Sequence, residues 1–321
     1  MARSTTRTAG LLAGTAALTL GLAACGSSDP APTDAAAAAK LQVVASTDVW
    51  GSVAQAVGGD RVEVKSIINS PDKDPHEYES TPTDAASVEN AKLLLRNGGG
   101  YDDFMTKLVD ASGNQAPVVD AVTVSGLQPA EEAGHSEGDG HDHGEFNEHV
   151  WYSLPTVQKV AQSVATELGK ADPAGAATYT ANAQRFDAGV AQLSTKAAAI
   201  GKAHPGATVA VTEPVPDYLL ETASLKDVTP EAFSEAVEEG NDPPAAVLQQ
   251  TLAVFTAQPK VGALVLNAQT QSPTTDQVKQ AATQNGVPIV DVTETLPAGT
   301  TDYTAWMGAQ IDRLSSALDR R

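Results

Sequence analysis

The sequence predicts an α/β protein of two similar lobes, each a parallel sheet flanked by helices, joined by one long rigid connecting helix. Three observations predict it. Apolar runs of strand length alternate with helical patterns over residues 41–124, as in sheets covered on both faces. The same alternation returns over residues 208–291. Between them, residues 172–203 carry one helical pattern, with Tyr179, Phe186, Val190, Leu193 and Ile200 on its apolar stripe. At ~1.5 Å per residue, a helix of ~30 residues spans ~45 Å, enough to connect two lobes.

In the first lobe, residues 41–47 read as a buried strand. Asp48 starts a helix that Gly58-Gly59 ends. Residues 61–68 alternate as a second strand. A loop through Asp74-Pro75-His76-Glu77-Tyr78-Glu79 follows. Thr81-Pro82-Thr83-Asp84 then reads as a helix start, with an N-cap, a proline at the first helical position and an acid in the first turn. Residues 92–96 form a third strand stopped by Gly98-Gly99-Gly100. Residues 101–111 fit a helix, 117–124 a strand and 154–168 a helix. Residues 130–148, rich in glycine, acids and histidine, read as a surface loop.

The second lobe repeats the scheme. Residues 208–212, 261–266 and 287–291 read as strands. Residues 217–223, 230–239, 243–255, 272–284 and 302–320 read as helices. The expected division is a lipoprotein signal peptide over 1–24, a tether over 25–40, an N-terminal lobe over 41–171, the connecting helix over 172–204 and a C-terminal lobe over 205–321.

Charge narrows the partners. The chain holds 20 basic and 40 acidic residues, a net charge of -20, which argues against nucleic acid and suits a protein that attracts cations. Arg3 and Arg7 precede an apolar run over 11–24, of signal-peptide rather than membrane-spanning length. The run ends in Leu22-Ala23-Ala24-Cys25, which resembles a bacterial lipobox. That resemblance implies cleavage before Cys25 and a lipid on its sulfur, so the expected location is extracytoplasmic, anchored to the bacterial cell membrane. Cys25 is the only cysteine, which excludes an intramolecular disulfide.

In parallel α/β sheets, ligands bind beyond the carboxyl ends of the strands. His76, Glu213 and Asp291 each follow a strand-like run, and His149 precedes a helix. Two imidazoles and two carboxylates make a coherent set for a first-row divalent metal. Each residue alone also has a bland reading, as a capping or solvated group. No His-Glu-x-x-His helix is present, so an enzyme is not expected. A surface adhesin is the alternative of a different class.

At Pro75-His76-Glu77-Tyr78-Glu79 with Thr81-Pro82, and again at His149-Val150-Trp151, the chain resembles the zinc/manganese group of solute-binding lipoproteins of ABC importers. The resemblance implies two lobes, a metal held between them and delivery to a membrane permease. The protein is expected to be a monomer. It matches His76 and His149 to the two histidines of the first lobe and Asp291 to the aspartate late in the second. Many zinc-binding members carry a histidine where this chain has Glu213, and glutamate there resembles the manganese-binding members. A further family glutamate is here Asn267, and Tyr152-Ser153-Leu154-Pro155 lacks the aspartate usual before the proline. The histidines of the acidic loop, His135, His141 and His143, resemble the His-rich loop of zinc-binding members and imply weak auxiliary binding. Zinc is the first expectation and manganese the second.

Overall fold

A computed structural model of the protein describes residues 39–73, 75–128 and 146–320. Residues 39–321 fall in one compact unit. The first sheet contains β1 (Leu41–Thr47), β2 (Val62–Ile68), β3 (Leu93–Arg96) and β4 (Val118–Asp120), all parallel in the order β2-β1-β3-β4. The second contains β5 (Thr208–Val211), β6 (Lys226–Asp227), β7 (Leu264–Asn267) and β8 (Ile289–Val292), parallel in the matching order β6-β5-β7-β8. Each order reverses direction beside its first strand. That creates a crevice outside the carboxyl ends of β1 and β3, and another outside those of β5 and β7.

Helices of the first half are α1 (Asp48–Gly58), α2 (Pro82–Asn90), α3 (Asp103–Ser112), α4 (Ala121–Ser125) and α5 (Leu154–Ala171). Then comes α6 (Ala176–Ala203), of 28 residues, about 42 Å long. The second half adds α7 (Asp217–Thr222), α8 (Glu231–Glu238), α9 (Ala245–Val254), α10 (Pro273–Gln284) and α11 (Tyr303–Leu318). The Thr81 start predicted for α2 is a full capping box: the Thr81 hydroxyl accepts from the Asp84 amide, and the Asp84 carboxylate accepts from the Thr81 amide at 2.9 Å.

Four elements depart from the sequence expectation. The run over 117–124 is a three-residue strand followed by α4, because the Asp120 carboxylate accepts from the Thr123 amide and turns the chain into a helix. The connecting helix begins at Ala176 rather than 172. Asp172 instead closes the end of α5 and takes hydrogen bonds from Arg61 (2.8 Å) and the Tyr179 hydroxyl (2.8 Å). The two-residue β6 is too short for a hydrophobic period to reveal. In β8 the ladder continues to Val292, which pairs with Asn267, so the strand does not stop at Asp291.

The main apolar cluster is continuous through both halves. It runs from Val43, Trp50 and Leu95 under the first sheet, along Tyr179, Phe186, Val190 and Ile200 of α6, to Val209, Val265 and Trp306 under the second. Smaller clusters cover the outer faces, around Phe233 and Phe255 on the second sheet and around Leu94 and Met105 on the first. Among the described residues, no helix is long and apolar enough to cross a membrane.

Candidate metal centre

The carboxyl ends of the two sheets face a common cluster of imidazoles and carboxylates. His76 lies in the loop between β2 and α2. The Thr81 capping box fixes the far end of that loop, and the Tyr78 hydroxyl donates to Asp84 at 2.9 Å. The His76 ring stands edge-on to Tyr101, with centroids 4.9 Å apart, and keeps 30% of its side chain exposed.

His149 is fully buried just before a 3-10 turn over Val150–Tyr152. Its tautomer follows from its neighbours. Asn147 donates its Nδ2 to the Pro214 carbonyl at 2.8 Å, which orients the amide. Asn147 Oδ1 then accepts from the His149 backbone amide at 2.9 Å and faces His149 Nδ1 at 2.8 Å. An amide oxygen only accepts, so Nδ1 carries a proton and Nε2 is the ring nitrogen turned to the cluster. This is the arrangement by which an outer partner orients an imidazole ligand. The loop around it is held by Asn97, whose Nδ2 donates to the Glu148 carbonyl at 2.9 Å. Gly99 has a φ of +69°, and a side chain there would press on Phe146, Val122 and Glu148, so the glycine run is required where the chain passes this loop.

The second sheet supplies oxygen. Glu213 follows β5, is buried, and accepts from Asn267 Nδ2 at 2.6 Å and from the Thr270 hydroxyl. Glu294 follows β8. It accepts from the same Asn267 amide at 2.7 Å and from the Tyr101 hydroxyl at 3.0 Å. Asn267, at the end of β7, therefore ties the two carboxylates together. Gln269 accepts the Glu294 amide at 2.7 Å and donates to the Pro71 carbonyl at 2.9 Å, which links the Glu294 loop to the loop that carries His76.

His76, His149 and Glu294 bring donor atoms within 4.8 Å of one another, and so do His76, Glu148 and Glu238. The electrostatics suit a cation. Burial pushes the Glu148 carboxyl up to about 7. Burial, then the neighbouring Glu238 and Glu294, push Glu213 well above the usual carboxylate range. Burial and mutual repulsion disfavour the charged form of these carboxyls, and a nearby positive charge favours it.

The structure thus brings His76 and His149 together, with Glu213 one amide away. It does not bring Asp291 to them. Asp291 lies on β8 between the buried Val290 and Val292 and points to solvent on the opposite face, and Glu294 takes the place expected for it. The strand ends at Val292, so the acidic residue beyond its carboxyl end lies in the Thr293-Glu294-Thr295 segment. Two other residues escaped the sequence reading: Asn267 as the bridge, and Glu238 at the end of α8. His135, His141, His143 and Cys25 lie outside the described residues.

A family model for the periplasmic component A of the zinc-uptake complex, ZnuA, matches residues 43–317. The chain belongs to the ZnuA family. The manganese-binding lipoprotein MntA of Halalkalibacterium halodurans is 31% identical to it over 146 residues, 46% of this chain and 45% of MntA. The metal ABC transporter substrate-binding lipoprotein ScbA of Streptococcus cristatus is 30% identical over 171 residues, 52% of this chain and 53% of ScbA. The chain spans about half the length of these relatives. Among solved structures, FpvC of Pseudomonas aeruginosa in complex with Mn2+ matches with a TM-score of 0.69 and 24% identity, covering 88% of this chain and 99% of FpvC. The periplasmic zinc-binding protein TroA of Treponema pallidum matches with a TM-score of 0.67 and 21% identity, covering 87% of this chain and 99% of TroA. These likenesses establish the ZnuA-family fold of two parallel four-stranded sheets with a long helix between them.

Proposed function

We propose that this ZnuA-family protein captures a divalent first-row transition-metal ion between its two sheets, outside the cytoplasm, and delivers it to the permease of an ABC importer. The ion is the cargo. His76 and His149 offer nitrogen, Glu294 offers oxygen, and Glu213 completes the set through the amide it shares with Glu294. The observation that carries this reading is the locked His149 tautomer. A fully buried imidazole anchored through Nδ1, with Nε2 facing a second histidine and a buried carboxylate, is arranged to bind a cation.

Zinc is the favoured ion, since it outranks manganese in intrinsic affinity for such donors, and manganese is the second candidate. The protein acts as a binding protein rather than an enzyme. It acts as a monomer, held at the membrane through a lipid on Cys25, with the histidines at 135, 141 and 143 as weak accessory ligands.

Calorimetric titration of metal-free protein with Zn2+ and Mn2+ tests the proposal. One tight site is expected. It should weaken by about 100-fold or more in His149→Ala, since losing even an outer-shell partner typically costs about 10–100-fold. Absence of a tight site for either ion would refute it.

A further inference from the structure

We infer that Glu238 is a direct ligand to the cargo ion and the residue that sets how well the site accepts manganese relative to zinc. The inference rests on the metal-binding reading above. Glu238 is the last residue of α8 and belongs to neither strand-end loop of the second sheet. Its Oε1 lies 3.2 Å from His149 Nε2 and 3.7 Å from His76 Nε2. With metal–ligand bonds of about 2.1 Å, two donors on one ion sit roughly 3.0–3.5 Å apart, for bond angles from right to tetrahedral. The carboxylate oxygen therefore stands, to within a few tenths of an ångström, where a donor would stand beside both imidazoles on one ion. Glu148 Oε1, at 3.9 Å from His76 Nε2, lies farther out.

With Glu238 included, the carboxylates that approach the two imidazoles are those of Glu238 and Glu294, and Glu213, joined to Glu294 through the Asn267 amide, would be the fifth donor. Structural zinc sites are almost always closed by four ligands. Manganese prefers oxygen donors and an octahedral shell. A fifth, oxygen donor thus adds more to the binding of manganese than to that of zinc. The intrinsic order still places zinc first, and Glu238 narrows the gap.

The test compares the intact protein with Glu238→Leu, which removes the oxygen but keeps an apolar volume at the end of α8. Each is titrated separately with Mn2+ and Zn2+ against a competing chelator, and a thermal melt checks folding. The expected result is a loss of Mn2+ affinity of about 10–100-fold while Zn2+ stays within about threefold. Visible absorption of the Co2+-loaded intact protein gives a second readout that needs no variant. Weak bands of a five- or six-coordinate ion are expected. Equal losses for Mn2+ and Zn2+ would show that Glu238 acts only through its charge. That outcome, no loss of either ion, or intense tetrahedral Co2+ bands from the intact protein would each overturn the inference while leaving the metal-binding reading intact. Failure of the intact protein to bind either ion would sink both.

Discussion

The two halves of the molecule share one strand order and meet at one cluster, yet they bring different chemistry to it. The first half brings imidazoles, and the deeper one is fixed before any ion arrives: the Asn147 amide, itself oriented by Pro214, holds the His149 proton on Nδ1. The second half brings carboxylates that share one amide, Asn267, and crowd each other out of water. A single hydrogen bond fixes which ring nitrogen of an imidazole faces the ion. Carboxylates in a buried group cannot all be charged until a cation joins them. One half is preset for the ion, and the other is completed by it.

That contrast can be broken most sharply in the second half. Glu294→Gln should weaken ion binding by about 10–100-fold, whereas Asp291→Asn, on the exposed face of β8, should leave it unchanged. The reverse pattern in a titration would return Asp291 to the site. A smaller effect is expected in the first half. Asn147→Ala frees the His149 tautomer without removing a ligand and should cost about tenfold, read as ion affinity in the same titration.

The smallest effect concerns stability and lies beside the cluster. Burial, then Asp227, Glu221 and Glu238, push Asp217 from 3.8 up to about 7. The folded protein holds that proton more tightly than the unfolded chain. The stabilisation is therefore complete below about pH 3.8 and is lost as pH rises through about 7. Asp217→Asn should flatten the fall in melting temperature between pH 5 and pH 8 by about a few degrees, checked by parallel thermal melts of both proteins.

Much of this was legible in the sequence. Strands β1, β3 and β5 announce themselves by their apolar centres, Val43-Val44-Ala45, Leu93-Leu94-Leu95 and Val209-Ala210-Val211, and α2 announces itself by Thr81, Pro82 and Asp84. His76 stood out through the motif around it, and Glu213 through its place after β5. The rest was hidden for physical reasons. Glu294 sits in a loop, where side chains follow no period, and β8 runs past the residue that looked like its end. Asn267 acts through two partners 54 and 27 residues away, and no local pattern records such distances. Glu238 ends a helix of 8 residues whose periodicity says only which face is buried.

The apolar cluster that follows α6 from Trp50 to Trp306 bears on how the protein comes apart. Two sheets with separate cores would unfold in two steps. Here the larger core belongs to both, and Tyr152 and Tyr303 stitch across it, donating to the Thr293 and Trp151 carbonyls at 2.7 Å each. Cooperativity is then shared by the whole molecule. A calorimetric melt should show one peak, its area matching its steepness, and cargo at the seam should move that peak as a unit to higher temperature.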